Sequence, residues 1–160
     1  DSSDFMIMQT SFGQGETLVS PMHLVMIAAA VSNNGVLMKP HLAREILNCN
    51  GKVINSYEAE SYERLMSEEE AAFMKKCMRA VVTDGTAKIL SYDGNYYSYG
   101  KTGTAETTDS KTEEHDHSWF TGFAENNGKI IAVCAMIEDS QAAGTTGVYT
   151  AKQVFDYYFR

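Results

Sequence analysis

Eight consecutive apolar residues, Ile130-Ile131-Ala132-Val133-Cys134-Ala135-Met136-Ile137, constrain this chain more than any other stretch. The run is far short of the roughly 20 apolar residues that a membrane-spanning helix needs. A continuous apolar run of this length reads as a strand buried on both faces, and therefore as a central strand. Ahead of it, Glu125-Asn126-Asn127-Gly128 is a short loop of hairpin type, and residues 118–124 supply an antiparallel neighbour. Residues 96–104, which follow an Asp93-Gly94 turn signal, read as a third strand.

Helices flank this meander. Ser20 can cap a helix whose first residue is Pro21, where a missing N–H costs nothing. Its apolar residues, from Met22 to Val31, lie on all sides, which predicts burial on most faces. Asn33-Asn34-Gly35 ends it, with Gly35 suited to the left-handed cap. Ser67-Glu68-Glu69-Glu70 has the capping-box pattern of a second helix, with Ala71, Met74, Met78 and Val81 or Val82 at helical spacing up to Gly85. Gly144 and Gly147 punctuate a loop before a closing helix with Val148, Ala151, Val154, Phe155 and Tyr158 on one face. Residues 36–54 read as a peripheral hairpin around Asn50-Gly51, a type I′ turn signal, with Pro40 on an edge or irregular strand. Residues 1–17 are polar and glycine-containing and read as a loop. The sum is an α+β domain: a three-strand antiparallel meander plus a peripheral hairpin, packed with helices.

Charge narrows the partners. Thirteen Lys and Arg against 21 Asp and Glu give a net charge of -8, which argues against nucleic acid. Cys49, Cys77 and Cys134 are odd in number and far apart, so neither a disulfide framework nor a zinc cluster is indicated, and buried thiols are expected. The charged stretch at residues 111–117 contains His115 and His117 on either side of Asp116, and reads as a solvated loop rather than a metal site. No cofactor and no metal are expected. The absence of an initiator Met and the opening at Asp1 fit a soluble fragment or processed product.

One stretch carries chemistry. Lys101-Thr102-Gly103-Thr104 places a cation, two hydroxyls and a glycine on one strand. Such a grouping suits an anionic substrate and offers backbone N–H groups to a developing oxyanion. A lone lysine there would otherwise be a guard of the strand edge. Trp119 and Phe123 read as sheet core.

With Ala105 and Glu106, this stretch resembles the Lys-Thr-Gly strand of the transpeptidase domain of class B penicillin-binding proteins. The ordered surroundings agree: Gly13-Gln14-Gly15, Ser20-Pro21, Ser32-Asn33-Asn34-Gly35, Lys39-Pro40, Trp119-Phe120-Thr121-Gly122-Phe123 and the apolar run from Ile130. That family also uses a serine nucleophile with a lysine three residues on, and a Ser-x-Asn element. Ser98-Tyr99-Gly100-Lys101 matches the first by letters, but on a strand positions i and i+3 point to opposite faces. Ser32-Asn33-Asn34 matches the second but falls at a helix end and reads as a C-cap. The resemblance therefore implies that residues 1–160 are the C-terminal portion of a single transpeptidase domain without its nucleophile-bearing N-terminal half.

The resemblance further implies a parent that cross-links peptidoglycan stem peptides through a serine acyl-enzyme and is acylated by β-lactams. Lys101 and Thr104 would be its catalytic residues here, and Thr102, Gly103 and Thr104 its substrate-binding residues. The parent would be membrane-anchored at the extracytoplasmic face of the bacterial cell membrane, and the fragment would be inactive alone and prone to self-association. Two alternatives remain: a non-catalytic β-lactam-sensing or scaffolding module, and a serine β-lactamase-like hydrolase. The Gly-Gln-Gly, Lys-Pro and Trp-Phe-x-Gly-Phe set favours the transpeptidase over the hydrolase.

Overall fold

In chain order the elements are α1 (Asp4–Ser11), α2 (Pro21–Ser32), β1 (Val36–Met38), β2 (Glu45–Leu47), β3 (Val53–Ser56), β4 (Ser61–Arg64), α3 (Glu68–Thr83), a short 3₁₀ helix (Lys88–Tyr92), β5 (Tyr97–Thr107), β6 (His115–Asn126), β7 (Lys129–Ile137) and α4 (Thr146–Tyr158). The computed structural model describes residues 3–15, 17–92, 95–107, 115–140 and 145–160. The Asp93-Gly94 turn, residues 111–114, Gly144 and the side chain of Glu106 lie outside the described residues.

β5, β6 and β7 form the expected antiparallel meander, in that order. Because side chains alternate across a strand, β6 feeds two cores. Phe120 and Ala124 point to one face and pack with Leu90 of the 3₁₀ helix and Val148, Ala151 and Phe155 of α4. Phe123 points to the other face and packs with Val31 of α2 and Met78 of α3. Each of these fully buried phenylalanines contributes about 1.5–3 kcal/mol. Gly100 and Gly122 face each other across β5 and β6. A Cβ at Gly100 would stand 2.3 Å from the Phe120 ring, and one at Gly122 would stand 2.1 Å from the Tyr99 carbonyl oxygen. The glycine pair lets the Phe120 ring lie against the sheet.

The helix starts follow their caps. Ser20 Oγ accepts from the His23 N–H at 3.2 Å, with Pro21 opening α2. Ser67 and Glu70 form the full capping box of α3: the Ser67 N–H donates to Glu70 Oε2 at 2.8 Å and the Glu70 N–H donates to Ser67 Oγ at 3.2 Å. The backbone hydrogen bond from Ser67, then the one from its hydroxyl, hold the Glu70 carboxyl below its usual range. At the end of α2 the Gly35 N–H donates to the Ala30 carbonyl at 2.8 Å, a Schellman closure in which Asn34, at φ 54°, takes the left-handed C′ position. Gly35 follows it at φ 86°, where a Cβ would meet the Met66 carbonyl oxygen at 2.1 Å.

Several expectations are corrected. The N-terminal stretch is not all loop: residues 4–11 form α1, capped by Ser3, whose Oγ accepts from the Met6 N–H at 3.3 Å. Its apolar residues are contiguous rather than periodic, so no amphipathic signal announces it, and none of its residues is buried. Among the described residues β7 is an edge strand, not a central one. Its apolar character comes from α2 on one face and α4 on the other, and coverage of faces says nothing about pairing at edges. The single hairpin is two ribbons: β2 pairs with β3, whereas β1 pairs with β4, a strand that local pattern does not reveal. Pro40 lies in neither strand, between β1 and β2.

The turn at Asn50-Gly51 is not type I′, because only Gly51, at φ 77°, is left-handed. Asn48 Oδ1 organises it by accepting from the N–H groups of Asn50 and Lys52 at 2.9 and 3.0 Å. α2 is less buried than expected, with Met22 and Ile27 exposed. Cys49 and Cys77 are exposed and only Cys134 is half-buried, since Cys49 sits in the β2–β3 turn and Cys77 on the outer side of α3. His115 and His117 belong to β6, which starts earlier than the sequence indicates.

Candidate active site

The Lys-Thr-Gly stretch lies on β5, whose one neighbouring strand among the described residues is β6. Among the described residues no strand pairs with its other edge, and side chains from elsewhere reach it. The Ser98 carbonyl accepts from Arg79 Nη1 at 2.8 Å, the Thr102 carbonyl from Lys101 Nζ at 2.7 Å, and the Thr104 carbonyl from Gln14 Nε2 at 3.5 Å. All three residues are even-numbered. In an antiparallel pair, alternate residues direct both N–H and C=O toward the partner and the others direct both away. The even residues of β5 therefore present their backbone outward, and the N–H of Thr104 points out from the edge of the strand that faces away from β6.

The side chains divide by face. Lys101 and Gly103 share the face of Tyr99, while Thr102 and Thr104 share the opposite one. Lys101 and Thr104 are exposed. Thr102 is buried, and its hydroxyl shares a 2.6 Å hydrogen bond with that of Thr86. Gly103 differs from Gly100 and Gly122. A Cβ there would meet only the Trp119 Cβ, at 3.4 Å, so the surrounding fold tolerates a side chain at this position.

Aromatic and cationic groups brace the strand below the site. Tyr99 stacks on Phe123 with ring centroids 4.6 Å apart and donates its phenol to Glu125 at 2.7 Å. Burial first, then that hydrogen bond, push the Tyr99 phenol up to about 12. The Arg79 guanidinium stands over both Tyr97 and Tyr99, at 5.6 and 5.9 Å from their centroids. Trp119 is half-buried beside Gly103, and Phe123 is fully buried.

The structure places the letter matches as structural parts. Ser98 is fully buried, donates to the Leu90 carbonyl at 3.2 Å and points away from the face of Lys101. Ser32 donates to the Ala29 carbonyl at 2.8 Å and Asn33 Nδ2 to the Val36 carbonyl at 3.0 Å, so this triplet closes α2. His117 Nδ1 accepts from the Asp139 N–H at 3.3 Å, and among the described residues no cluster of His, Cys, Asp and Glu is arranged to hold a metal. Sequence reasoning missed Gln14, Arg79 and Thr86. Only Gln14 carries a local signal, in the glycines on either side of it.

An antiparallel meander with helices on both faces, carrying a Lys-Thr-Gly stretch on its first strand, makes this an α+β scaffold. Residues 2–158 match the model of the penicillin binding protein transpeptidase domain. The chain belongs to that family. It is 30% identical over 162 residues to peptidoglycan D,D-transpeptidase MrdA of Haemophilus influenzae, covering 91% of this chain and 24% of the relative. It is 32% identical over 147 residues to penicillin-binding protein 3 of Bacillus subtilis, covering 89% of this chain and 20% of the relative. The chain thus spans about a quarter or less of the length of these curated relatives. The D,D-transpeptidase domain of a peptidoglycan glycosyltransferase from Eggerthella lenta superposes with a TM-score of 0.77 at 28% identity, covering 88% of this chain and 32% of that one. Penicillin-binding protein 2B of Streptococcus pneumoniae superposes at 0.83 over 99% of this chain and 27% of its own; at 20% identity it shows the fold alone.

Proposed function

We propose that this chain is the C-terminal portion of a transpeptidase domain, and that the intact protein is a serine-type peptidoglycan D,D-transpeptidase acting at the extracytoplasmic face of the bacterial membrane. Among the described residues no helix is long and apolar enough to cross a membrane, so an anchor would belong to another part of the parent. The observation that carries the reading is the open edge of β5, with Lys101 exposed, the Thr104 N–H directed outward and a glycine at 103 that the surrounding fold does not require.

In this mechanism a serine Oγ from elsewhere in the domain attacks the carbonyl of the terminal D-Ala-D-Ala bond. The C–N bond breaks, D-Ala leaves with the proton from the serine, and an ester remains. An amine of a second stem peptide then attacks that ester and restores the serine hydroxyl. Lys101 supplies positive potential and a proton path near the serine. The Thr104 N–H is one oxyanion donor, a contact worth about 3 kcal/mol in the transition state, and its hydroxyl receives the terminal carboxylate. Thr102 contributes its outward backbone N–H, since its hydroxyl is held by Thr86. Gly103 leaves room for the ligand against the strand.

A labelled penicillin tests this reading. The full-length protein that contains this chain is expected to take one label, to lose it in Lys101→Ala and to keep it in Ser98→Ala. The 160-residue chain alone is expected to take none. Stoichiometric labelling of the isolated chain, or an unlabelled full-length protein, would overturn the assignment.

A further inference from the structure

We propose that Gln14 is a specificity-determining residue of the β5 edge: its carboxamide donates to the Thr104 carbonyl and gives way to a ligand that brings its own amide N–H. The inference rests on the reading of β5 as one wall of the acylation site.

Three of the outward carbonyls along β5, those of Ser98, Thr102 and Thr104, have a side-chain donor, and the three are unequal. Arg79 and Lys101 are cations at 2.8 and 2.7 Å, whereas Gln14 is neutral and stands at 3.5 Å. Charge-assisted hydrogen bonds are roughly twice as strong as neutral ones, and length weakens the Gln14 contact further. Of these three acceptors the Thr104 carbonyl is therefore the one most easily taken over. Gln14 is not needed to hold the strand, because β5 is in register with β6 from Tyr97 to Thr107.

Gln14 reaches this edge from 90 residues away. Its own N–H donates to the Gln9 carbonyl at 3.0 Å, and the left-handed Gly13 and Gly15, at φ 86° and 77°, turn the backbone on either side. The side chain is thus delivered from the end of α1 to the stretch that carries the oxyanion donor. A ligand that lies along an open strand edge bonds to the outward groups of alternate residues. One with an amide N–H opposite Thr104 replaces Gln14 on that carbonyl. One without it leaves Gln14 in place.

The test compares acylation rates of the full-length protein and its Gln14→Ala variant with benzylpenicillin, which has an exocyclic amide N–H, and imipenem, which has a hydroxyethyl group instead. Removing the competing donor is expected to raise the benzylpenicillin-to-imipenem rate ratio about two- to threefold, the effect of one weak hydrogen bond. Gln14→Glu, whose carboxylate cannot donate, is expected to shift the ratio in the same direction. The ratio does not depend on the fraction of protein that is folded. An unchanged ratio, or two rates that move together, overturns the role of Gln14 while leaving the site assignment intact. If neither compound acylates the wild-type protein, the site assignment itself fails and this inference with it.

Discussion

Replacing Gly103 by alanine separates what the fold requires from what the site requires. The added methyl would touch only the Trp119 Cβ, at 3.4 Å, an ordinary contact that needs little adjustment. Gly103 has no left-handed φ, so alanine fits its backbone without strain. Alanine also has fewer unfolded conformations to lose, and the substitution is expected to stabilise the protein by about 0.4–1 kcal/mol. Gly100→Ala is the control on the same strand: its methyl would stand 2.3 and 2.4 Å from two atoms of the Phe120 ring. Phe120 is fully buried and has nowhere to move, so overpacking is expected to cost about 2 kcal/mol, or roughly 4–8 °C in Tm for a chain of this size. Urea midpoints and calorimetry read the two stabilities, and labelled-penicillin acylation of the full-length protein reads the site. For Gly103→Ala, a methyl that displaces the ligand by about 1 Å is expected to slow acylation about 100-fold at unchanged or improved stability. If Gly103→Ala is as destabilising as Gly100→Ala, the fold demands the glycine and the steric argument fails. If it is stable and acylated at the wild-type rate, no ligand approaches the strand there.

Three further outcomes follow from the structure. The Tyr99 phenol, raised to about 12 by burial and by Glu125, binds its proton more tightly folded than unfolded. Its contribution to stability is complete below pH 10 and is lost as pH rises toward 12; Tyr99→Phe is expected to flatten this part of the stability profile, and an identical slope in both proteins would refute the assignment. A thiol-reactive dye is expected to modify the exposed Cys49 and Cys77 rapidly in the native protein and Cys134 slowly, because burial pushes the Cys134 thiol up; three equal rates would refute the packing of β7. The open edge of β7 and the exposed apolar residues of α1, among them Phe5 and Ile7, are expected to drive self-association of the 160-residue chain, so a sharp monomer in light scattering at high concentration would count against it.

Much of this was legible in local pattern. The capping residues Ser20 and Ser67 placed both flanking helices because a cap acts within one turn. The meander followed from strand length and the Asn127-Gly128 turn, both of which are left-handed in the structure. That Lys101 to Thr104 lie on a strand was legible from that stretch and the ordered motifs around it. The hairpin pairing was not legible, because β1 meets β4 across intervening residues that include a complete second ribbon.

Sequence by itself determined the three longer helices, the three-strand meander and the placing of Ser98 and Lys101 on opposite faces of a strand, since each depends on the period of a helix or strand or on a short motif. Tertiary structure decided what lies beside what. It made β7 an edge despite its apolar run, because burial of faces and pairing of edges are separate conditions. It turned Thr102 inward to Thr86 and left Thr104 outward, and it brought Gln14 to the same carbonyl edge from 90 residues away. Those contacts join residues remote in sequence, and no local spacing encodes them.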